Sequence, residues 1–310
     1  MQQQGKVTAL CLSEQKGTQK TPVPEAVFRE DWGIEGDAHA GHWHRQVSLL
    51  PKEQIDRFRE KGLKLADGAF GENIVTEGID LKALPVGVRL RIGEVQLEVT
   101  QIGKACHTQC AIRKATGDCI MPREGIFAKV LRGGRVKPGA AIIVLPPDPE
   151  RPYTAAVITL SDRCATGRRE DESGPAIRAI LERQGIEVLE QLLLPDGKEQ
   201  LEAELIRLSD QRQVDVIFTT GGTGFSARDL TPEATMDVCD RMTPGIPEAI
   251  RAYSMTITPR AMLSRQTAGI RGRTLIINLP GSPKACREDL DVVLPALPHG
   301  LDVLRGSPGE

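Results

Sequence analysis

Four prolines, Pro146, Pro147, Pro149 and Pro152, interrupt the chain within seven residues. Each fixes its own φ and lacks an amide hydrogen, so this stretch reads as an extended, semi-rigid spacer that no helix or central strand can cross. With 310 residues there is enough chain on either side for a hydrophobic core. The expectation is therefore two domains, residues 1–149 and 150–310, cut near residue 150.

The two sides differ in rhythm. Before the spacer, Val95, Leu97 and Val99 alternate with Gln96, Glu98 and Thr100, a strand with one buried and one wet face. Leu90 to Ile92 leads into Gly93-Glu94, a two-residue link with glycine first that suits a type II′ hairpin. Val7 to Leu12 and Ala141 to Leu145 are further strand-like runs, and a helix is expected from Lys52 to Lys61. This half reads as a small β-rich barrel. After the spacer, apolar runs at Ala155 to Leu160, Val188 to Leu194, Val214 to Thr219 and Leu275 to Leu279 alternate with helical stretches, the pattern of a parallel sheet with crossover helices. Ile177, Ile180 and Leu181 share one helical face, as do Leu201, Leu205 and Leu208. Thr231 before Pro232 and Glu233, and Ser282 before Pro283, look like capping hydroxyls at helix starts.

Composition excludes several classes. A hydrophobic fraction of 40%, a charged fraction of 26% and a net charge of -2 describe an ordinary globular protein. Nucleic acid is not the expected partner, because no basic excess is present and only 3% of residues are aromatic. No apolar run is long enough to span a bilayer, and Met1 to Gly5 lacks the basic and apolar regions of a signal peptide, so no membrane association is expected and the compartment is the cytoplasm. Seven cysteines then read as reduced thiols.

In a parallel sheet, ligands bind beyond the carboxyl ends of the strands. After the four apolar runs stand Ser161-Asp162, Pro195-Asp196, Gly221-Gly222-Thr223-Gly224 and Pro280-Gly281-Ser282-Pro283. Glycines there let consecutive backbone amides form a nest for phosphate oxygens, although tight turns use the same residues. Neither a Rossmann fingerprint nor a Walker A sequence is present. Asp196 and Asp229 would repel a phosphate unless a divalent cation lay between them. Mg²⁺, which takes one or two carboxylates plus phosphate oxygens, suits that position with a nucleotide triphosphate such as ATP.

Thr154 to Ser161, Thr219 to Thr235 and Met262 to Lys284 closely resemble the MogA/MoaB family, whose active members are molybdopterin adenylyltransferases. The resemblance covers residues 153–306. It implies a doubly wound, mostly parallel α/β sheet, a homotrimer, and two essential acids at Asp196 and Asp229. It also implies nucleotide or pterin-phosphate contacts from Asp162 and Gly221 to Gly224, with Ser161 beside them. Ser173, Ser264 and Pro280 to Pro283 would line a pterin pocket. The implied reaction is attack of the molybdopterin phosphate on the α-phosphorus of ATP with release of pyrophosphate. Arg228, Arg265 and Lys284 are candidates for charge neutralisation, or are simply solvated.

In the first half, Cys106-His107-Thr108-Gln109-Cys110 and Cys119 form a cluster. Zinc is one reading, though the spacing lacks a second cysteine pair, and core packing is the other. His39, His42 and His44 read as surface or turn residues. Gly33 to His39, Phe70 to Asn73 and Val99 to Cys106 resemble a MOSC domain, covering most of residues 5–145. That resemblance implies a β-barrel with a reactive cysteine that carries sulfur or ligates molybdenum, best matched by Cys106 and next by Cys110, with molybdenum cofactor as a ligand. Lys104 and His107 would favour the thiolate. Together the halves suggest an adenylyltransferase acting with other cofactor-assembly enzymes. The alternatives are a non-catalytic molybdopterin or cofactor carrier, and a sulfur carrier through Cys106.

Overall fold

The computed structural model describes residues 4–104, 113 and 117–306. The chain divides into two compact units, Met1–Arg151 and Pro152–Glu310.

The first unit is built from strands β1 (Gln4–Leu12), β2 (Thr21–Val23), β3 (Ala26–Arg29), β4 (Gly33–Ile34), β5 (Val47–Pro51), β6 (Ile74–Glu77), β7 (Arg89–Ile92), β8 (Val95–Ile102), β9 (Ile126–Arg132), β10 (Gly134–Val136) and β11 (Ala141–Val144). Seven of them close a barrel in the order β1-β11-β7-β8-β9-β5-β6 and back to β1, while β2 extends the sheet beside β1. Closure leaves those strands without an open edge. Val95, Leu97 and Val99 are fully buried inside, together with Leu90, Ile92, Val47, Leu49 and Ile142. Ile92 pairs with Val95 across Gly93-Glu94. Gly93 has φ of +61° and Glu94 stays out of the left-handed region, as a type II′ turn requires. Helix α1 covers Lys52–Arg59, stopping short of the expected Lys61, and joins the parallel pair β5 and β6. The chain turns out of it at Gly62, φ +86°.

The second unit is a six-stranded sheet of β12 (Thr154–Leu160), β13 (Glu187–Leu194), β14 (Val216–Thr220), β15 (Arg241–Met242), β16 (Ala268–Arg271) and β17 (Thr274–Leu279). Its order is β13-β12-β14-β17-β16-β15. The first four strands run parallel, and β16 and β15 add an antiparallel edge. Every residue of β12 and of β17 is buried, because helices cover both faces. On one face Ala155, Val157, Phe218 and Ile277 meet Ile177, Ile180 and Leu181 of the helix Ser173–Arg183 and Cys286 and Leu290 of the helix Pro283–Val293. On the other, Ala156, Ile158, Ile217 and Ile276 meet Leu201, Leu205 and Leu208.

The third strand begins at Val216 rather than Val214, because Asp215 acts as an anchor ahead of it. Its carboxylate accepts the amide and hydroxyl hydrogens of Thr154, both at 2.8 Å, and a fork of two bonds from Arg305 at 2.8 and 2.7 Å. Burial alone would raise the Asp215 pKa, but Arg305 and Thr154 hold it below the usual carboxylate range. This clasp ties the last helix, Leu297–Arg305, to the start of the first strand. Removing one partner of such a pair leaves a buried charge uncompensated. Arg305→Ala is therefore expected to cost about 3 kcal/mol, read as a lower denaturant midpoint by circular dichroism, with part of the loss recovered in the Asp215→Ala/Arg305→Ala double variant. A loss under about 1 kcal/mol would mean that the pair is acting as an ordinary surface bridge.

Candidate functional site

The order of the second sheet reverses beside β12: β13 lies on one side of it and β14 on the other. The crevice at such a switch point lies between the carboxyl ends of β12 and β14. Ser161-Asp162 follows the first of these strands and Gly221 to Gly224 the second.

Two of the acidic loops are clipped together by an exchange of backbone bonds. The Asp162 amide donates to Asp196 Oδ2, and the Asp196 amide donates to Asp162 Oδ1, each at 3.1 Å. Ser161 caps the short helix behind Asp162 by accepting the Cys164 amide at 3.2 Å. Arg228 reaches across from a third loop, with Nη1 2.6 Å from Asp162 Oδ2 and Nη2 donating to the Asp196 carbonyl at 2.9 Å. Its neighbour Asp229 accepts the Ser226 amide on Oδ2 at 2.9 Å. Asp162, Asp196 and Arg228 are thus joined directly, with Asp229 next in sequence to the arginine that joins them. Among the described residues, Oδ1 of Asp196 and Oδ1 of Asp229 have no hydrogen-bond partner.

The glycine loop is held in a conformation that side chains resist. Gly221 and Gly222 have φ of +98° and +63°; a Cβ on the first would meet the Leu160 carbonyl, and one on the second the Thr231 hydroxyl. Thr231 does not cap its helix as its sequence context suggests. Its hydroxyl donates instead to the Gly221 carbonyl at 2.9 Å, and its amide to the Gly222 carbonyl at 3.2 Å. The Gly221 amide is satisfied by Leu279, whereas those of Gly222, Thr223 and Gly224 meet no acceptor among the described residues. Three consecutive amides without an acceptor are a group that can cradle an anion.

Arg265 clamps this loop. Nε donates to the Gly224 carbonyl at 2.7 Å, Nη2 to the Asp229 carbonyl, and Nη1 pairs with Glu233. Burial works against charge on Glu233, yet Arg265 keeps its carboxyl below the ordinary value. The fourth loop closes against the glycines. Thr220 donates to the Pro280 carbonyl at 2.7 Å, buried Ser173 donates to the Gly281 carbonyl at 3.1 Å, and a Cβ on Gly281 would lie 3.5 Å from Gly221 Cα. Ser282 precedes Pro283 at the start of its helix but makes no side-chain cap bond. Lys284 is an exposed side chain 3.6 Å from Glu288.

A cavity of about 330 Å³ opens beside this rim, lined by Thr223, Gly224, Ser264 and Pro280 together with Arg251, Ser254, Gln266 and Asp289. Sequence reading missed the last four. Burial pushes the Asp289 carboxyl up to about 7, against the hydrogen bond from Ser254 that favours its charge. A signal for it exists: Asp289 falls on the same helical stripe as Cys286, Leu290 and Val293, all buried.

In the first unit, Cys106, His107 and Cys110 lie outside the described residues. Cys119 is buried in the core. His39, His42 and His44 turn to different partners: the Lys20–Asp37 pair, Asp31, and Gln101. Among the described residues no group of three or more His, Cys, Asp or Glu side chains could hold a metal ion. Lys20 and Asp37 are both buried and 2.5 Å apart. Burial pulls the Lys20 pKa down; burial also opposes charge on Asp37, which bonds from His39 and Lys20 nevertheless hold low. A small cavity of about 110 Å³ beside them is lined by His39, Trp43, Arg45, Ser48, Asn73 and Lys104. No helix among the described residues is long and apolar enough to cross a membrane.

Comparison with known proteins agrees with this architecture. Residues 156–299 match the family described as "Probable molybdopterin binding domain", and residues 36–143 match the MOSC domain. A molybdopterin adenylyltransferase of Helicobacter pylori (strain J99) is 46% identical over 153 residues, 49% of this chain and 87% of that protein. The molybdopterin adenylyltransferase of Escherichia coli K12 is 40% identical over 151 residues, 47% of this chain and 77% of that protein. Among solved structures, the molybdopterin biosynthesis enzyme MoaB from Thermus thermophilus is 44% identical, covering 51% of this chain and 99% of its own with a TM-score of 0.48. The chain belongs to the molybdopterin adenylyltransferase family, of the MogA/MoaB type, and carries a MOSC domain ahead of that unit.

Proposed function

We propose that the second unit adenylylates molybdopterin, joining the pterin phosphate to the AMP moiety of ATP and releasing pyrophosphate. The observation that carries this reading is the rim on which Asp162, Asp196 and Arg228 are bonded together beside Asp229 and three unpaired amides. Relatives named for that activity support it. A phosphate oxygen of molybdopterin attacks the α-phosphorus of ATP; the bond from that phosphorus to the bridging oxygen breaks, and pyrophosphate leaves. No proton must be removed from an ionised phosphate, so the protein's task is positioning and charge compensation. The amides of Gly222, Thr223 and Gly224 hold phosphate oxygens, and Arg228 offsets charge at the meeting point of two anions.

The donor set suits magnesium. Asp196 and Asp229 each keep one carboxylate oxygen without a partner among the described residues, and Mg²⁺ takes one or two carboxylates with water and phosphate oxygens besides. When bound there, the ion would draw negative charge from the phosphates and align them. Arg265 is a positioning residue, since it is committed to loop carbonyls and Glu233. Lys284 is left to solvent and Glu288. We further propose a homotrimer in the cytoplasm, working with other enzymes of molybdenum cofactor assembly, and a first unit that holds cofactor or transferable sulfur at Cys106. The small cavity supports the last point, since one of its walls is Lys104, two residues before that cysteine in the chain.

The decisive assay is magnesium-dependent pyrophosphate release from ATP that requires molybdopterin, with the adenylylated pterin identified by mass spectrometry. Asp196→Asn and Asp229→Asn are each expected to lower the rate by about 100-fold or more, and product formation at the wild-type rate in both would end the magnesium assignment. Gly222→Ala, strained at φ +63° and pressed on the Thr231 hydroxyl, is expected to lose turnover while the sheet still melts cooperatively. Light scattering is expected to give three times 33.7 kDa. A persulfide formed with a sulfane-sulfur donor is expected on Cys106 by mass spectrometry, and its persistence elsewhere in Cys106→Ala would move the role to another cysteine.

A further inference from the structure

The wall of the cavity beside the rim carries two polar side chains whose free ends have no partner among the described residues. Asp289 is 2% exposed and Gln266 3% exposed. Asp289 Oδ1 accepts the Ser254 hydroxyl at 3.1 Å, and Oδ2 has no partner. Gln266 Oε1 accepts the Ser264 hydroxyl at 3.0 Å, and Nε2 has no partner. In both cases a serine fixes one end of the side chain and thereby decides which atom is left over: on Gln266 a donor, and on Asp289 an oxygen that is an acceptor in the ionised carboxylate, the form that burial restricts to pH above about 7. A buried polar atom without a partner destabilises the fold by roughly 1–3 kcal/mol, so two in one cavity wall point to a ligand that satisfies them. The remainder of that wall includes the apolar side chains of Ile250, Leu263 and Ala285, suited to the faces of a flat ring.

We propose that Asp289 and Gln266 together read the edge of a heterocycle that presents an N–H donor beside a carbonyl acceptor, and so determine which ring system the second unit accepts. The N–H donates to Asp289 Oδ2 and the carbonyl accepts from Gln266 Nε2. This rests on the reading of the second unit as a molybdopterin adenylyltransferase: the 2-amino-4-oxo edge of a pterin has this arrangement, and a 2,4-diamino edge reverses it. Ser254 and Ser264 act as positioning residues that hold the two readers in the matching orientation.

The test uses the full chain and two fluorescent probes, pterin and 2,4-diaminopteridine, in equilibrium titrations at a pH above the Asp289 pKa of about 7. Wild-type protein is expected to bind pterin at least 10-fold more tightly than the diamino compound. Asp289→Leu exchanges a buried carboxyl for hydrocarbon of similar size and is expected to preserve the fold, with a thermal melt as the check. It is expected to weaken pterin by at least 10-fold and to abolish the preference. Gln266→Leu gives an independent second measurement with the same expectation. In turnover, Asp289→Leu is expected to raise KM for molybdopterin while leaving KM for ATP within about twofold. Equal affinity of wild-type protein for both probes, absence of pterin binding, or unchanged pterin affinity in a folded Asp289→Leu would overturn the proposal. Pterin binding that depends on Asp289, in a protein that releases no pyrophosphate, would uphold this subsite and sink the adenylylation reading instead.

Discussion

The second unit depends on how closely three strand ends can approach. Gly221 lies against the Leu160 carbonyl on one side and against Gly281 on the other, so the exits of β12, β14 and β17 meet with no side chain between them. Hydrogen bonds then fix each loop to the next: Thr231 to Gly221, Thr220 to Pro280, Ser173 to Gly281. Hydrogen bonds to carbonyls absorb the acceptors and leave the amides of Gly222 to Gly224 without a partner among the described residues. The same close approach that packs the sheet edge therefore also sets aside the three amides on which the proposed phosphate contacts rest.

Charge at the rim is arranged by connection more than by number. Asp162 and Asp196 would repel if merely adjacent, but each takes the other's amide hydrogen and both are bridged by Arg228. Arg228 is exposed and links loops that the backbone alone would leave independent. Arg265 does comparable work one layer back, where its forked donors join Gly224, Asp229 and Glu233. An arginine suits both places because its planar fork serves several acceptors at once. The two arginines that sequence suggests as equivalent thus have different tasks, one at the rim and one beneath it.

Much of this was legible from residue order. Apolar runs of strand length, followed at once by glycine, proline or aspartate, locate both the parallel strands and the sheet edge that carries the candidate site, because backbone geometry ties the two together. The alternation at Val95, Leu97 and Val99 locates a barrel strand for the same reason. Partner choice was not legible. Thr231 has every local mark of a cap, yet its hydroxyl goes to Gly221, ten residues earlier. Asp289 stands among apolar neighbours on its helix, and only the packing of Ser254 and Gln266 around one cavity gives that carboxyl a meaning. Local pattern encodes which residues are buried; it does not encode which atoms remain unsatisfied afterwards.

The clasp at Asp215 has a topological consequence for the second unit. Arg305 also donates to the Pro152 carbonyl at 2.6 Å, so the start of this unit and the end of its helix Leu297–Arg305 lie within one side chain of each other. From Pro152 to Arg305 the unit is in effect a closed circuit in space, joined by a hydrogen bond from the arginine side chain to a backbone carbonyl. Its elements could be read in rotated order, entering at the exposed Gly272 turn between β16 and β17, and every strand would keep its neighbours.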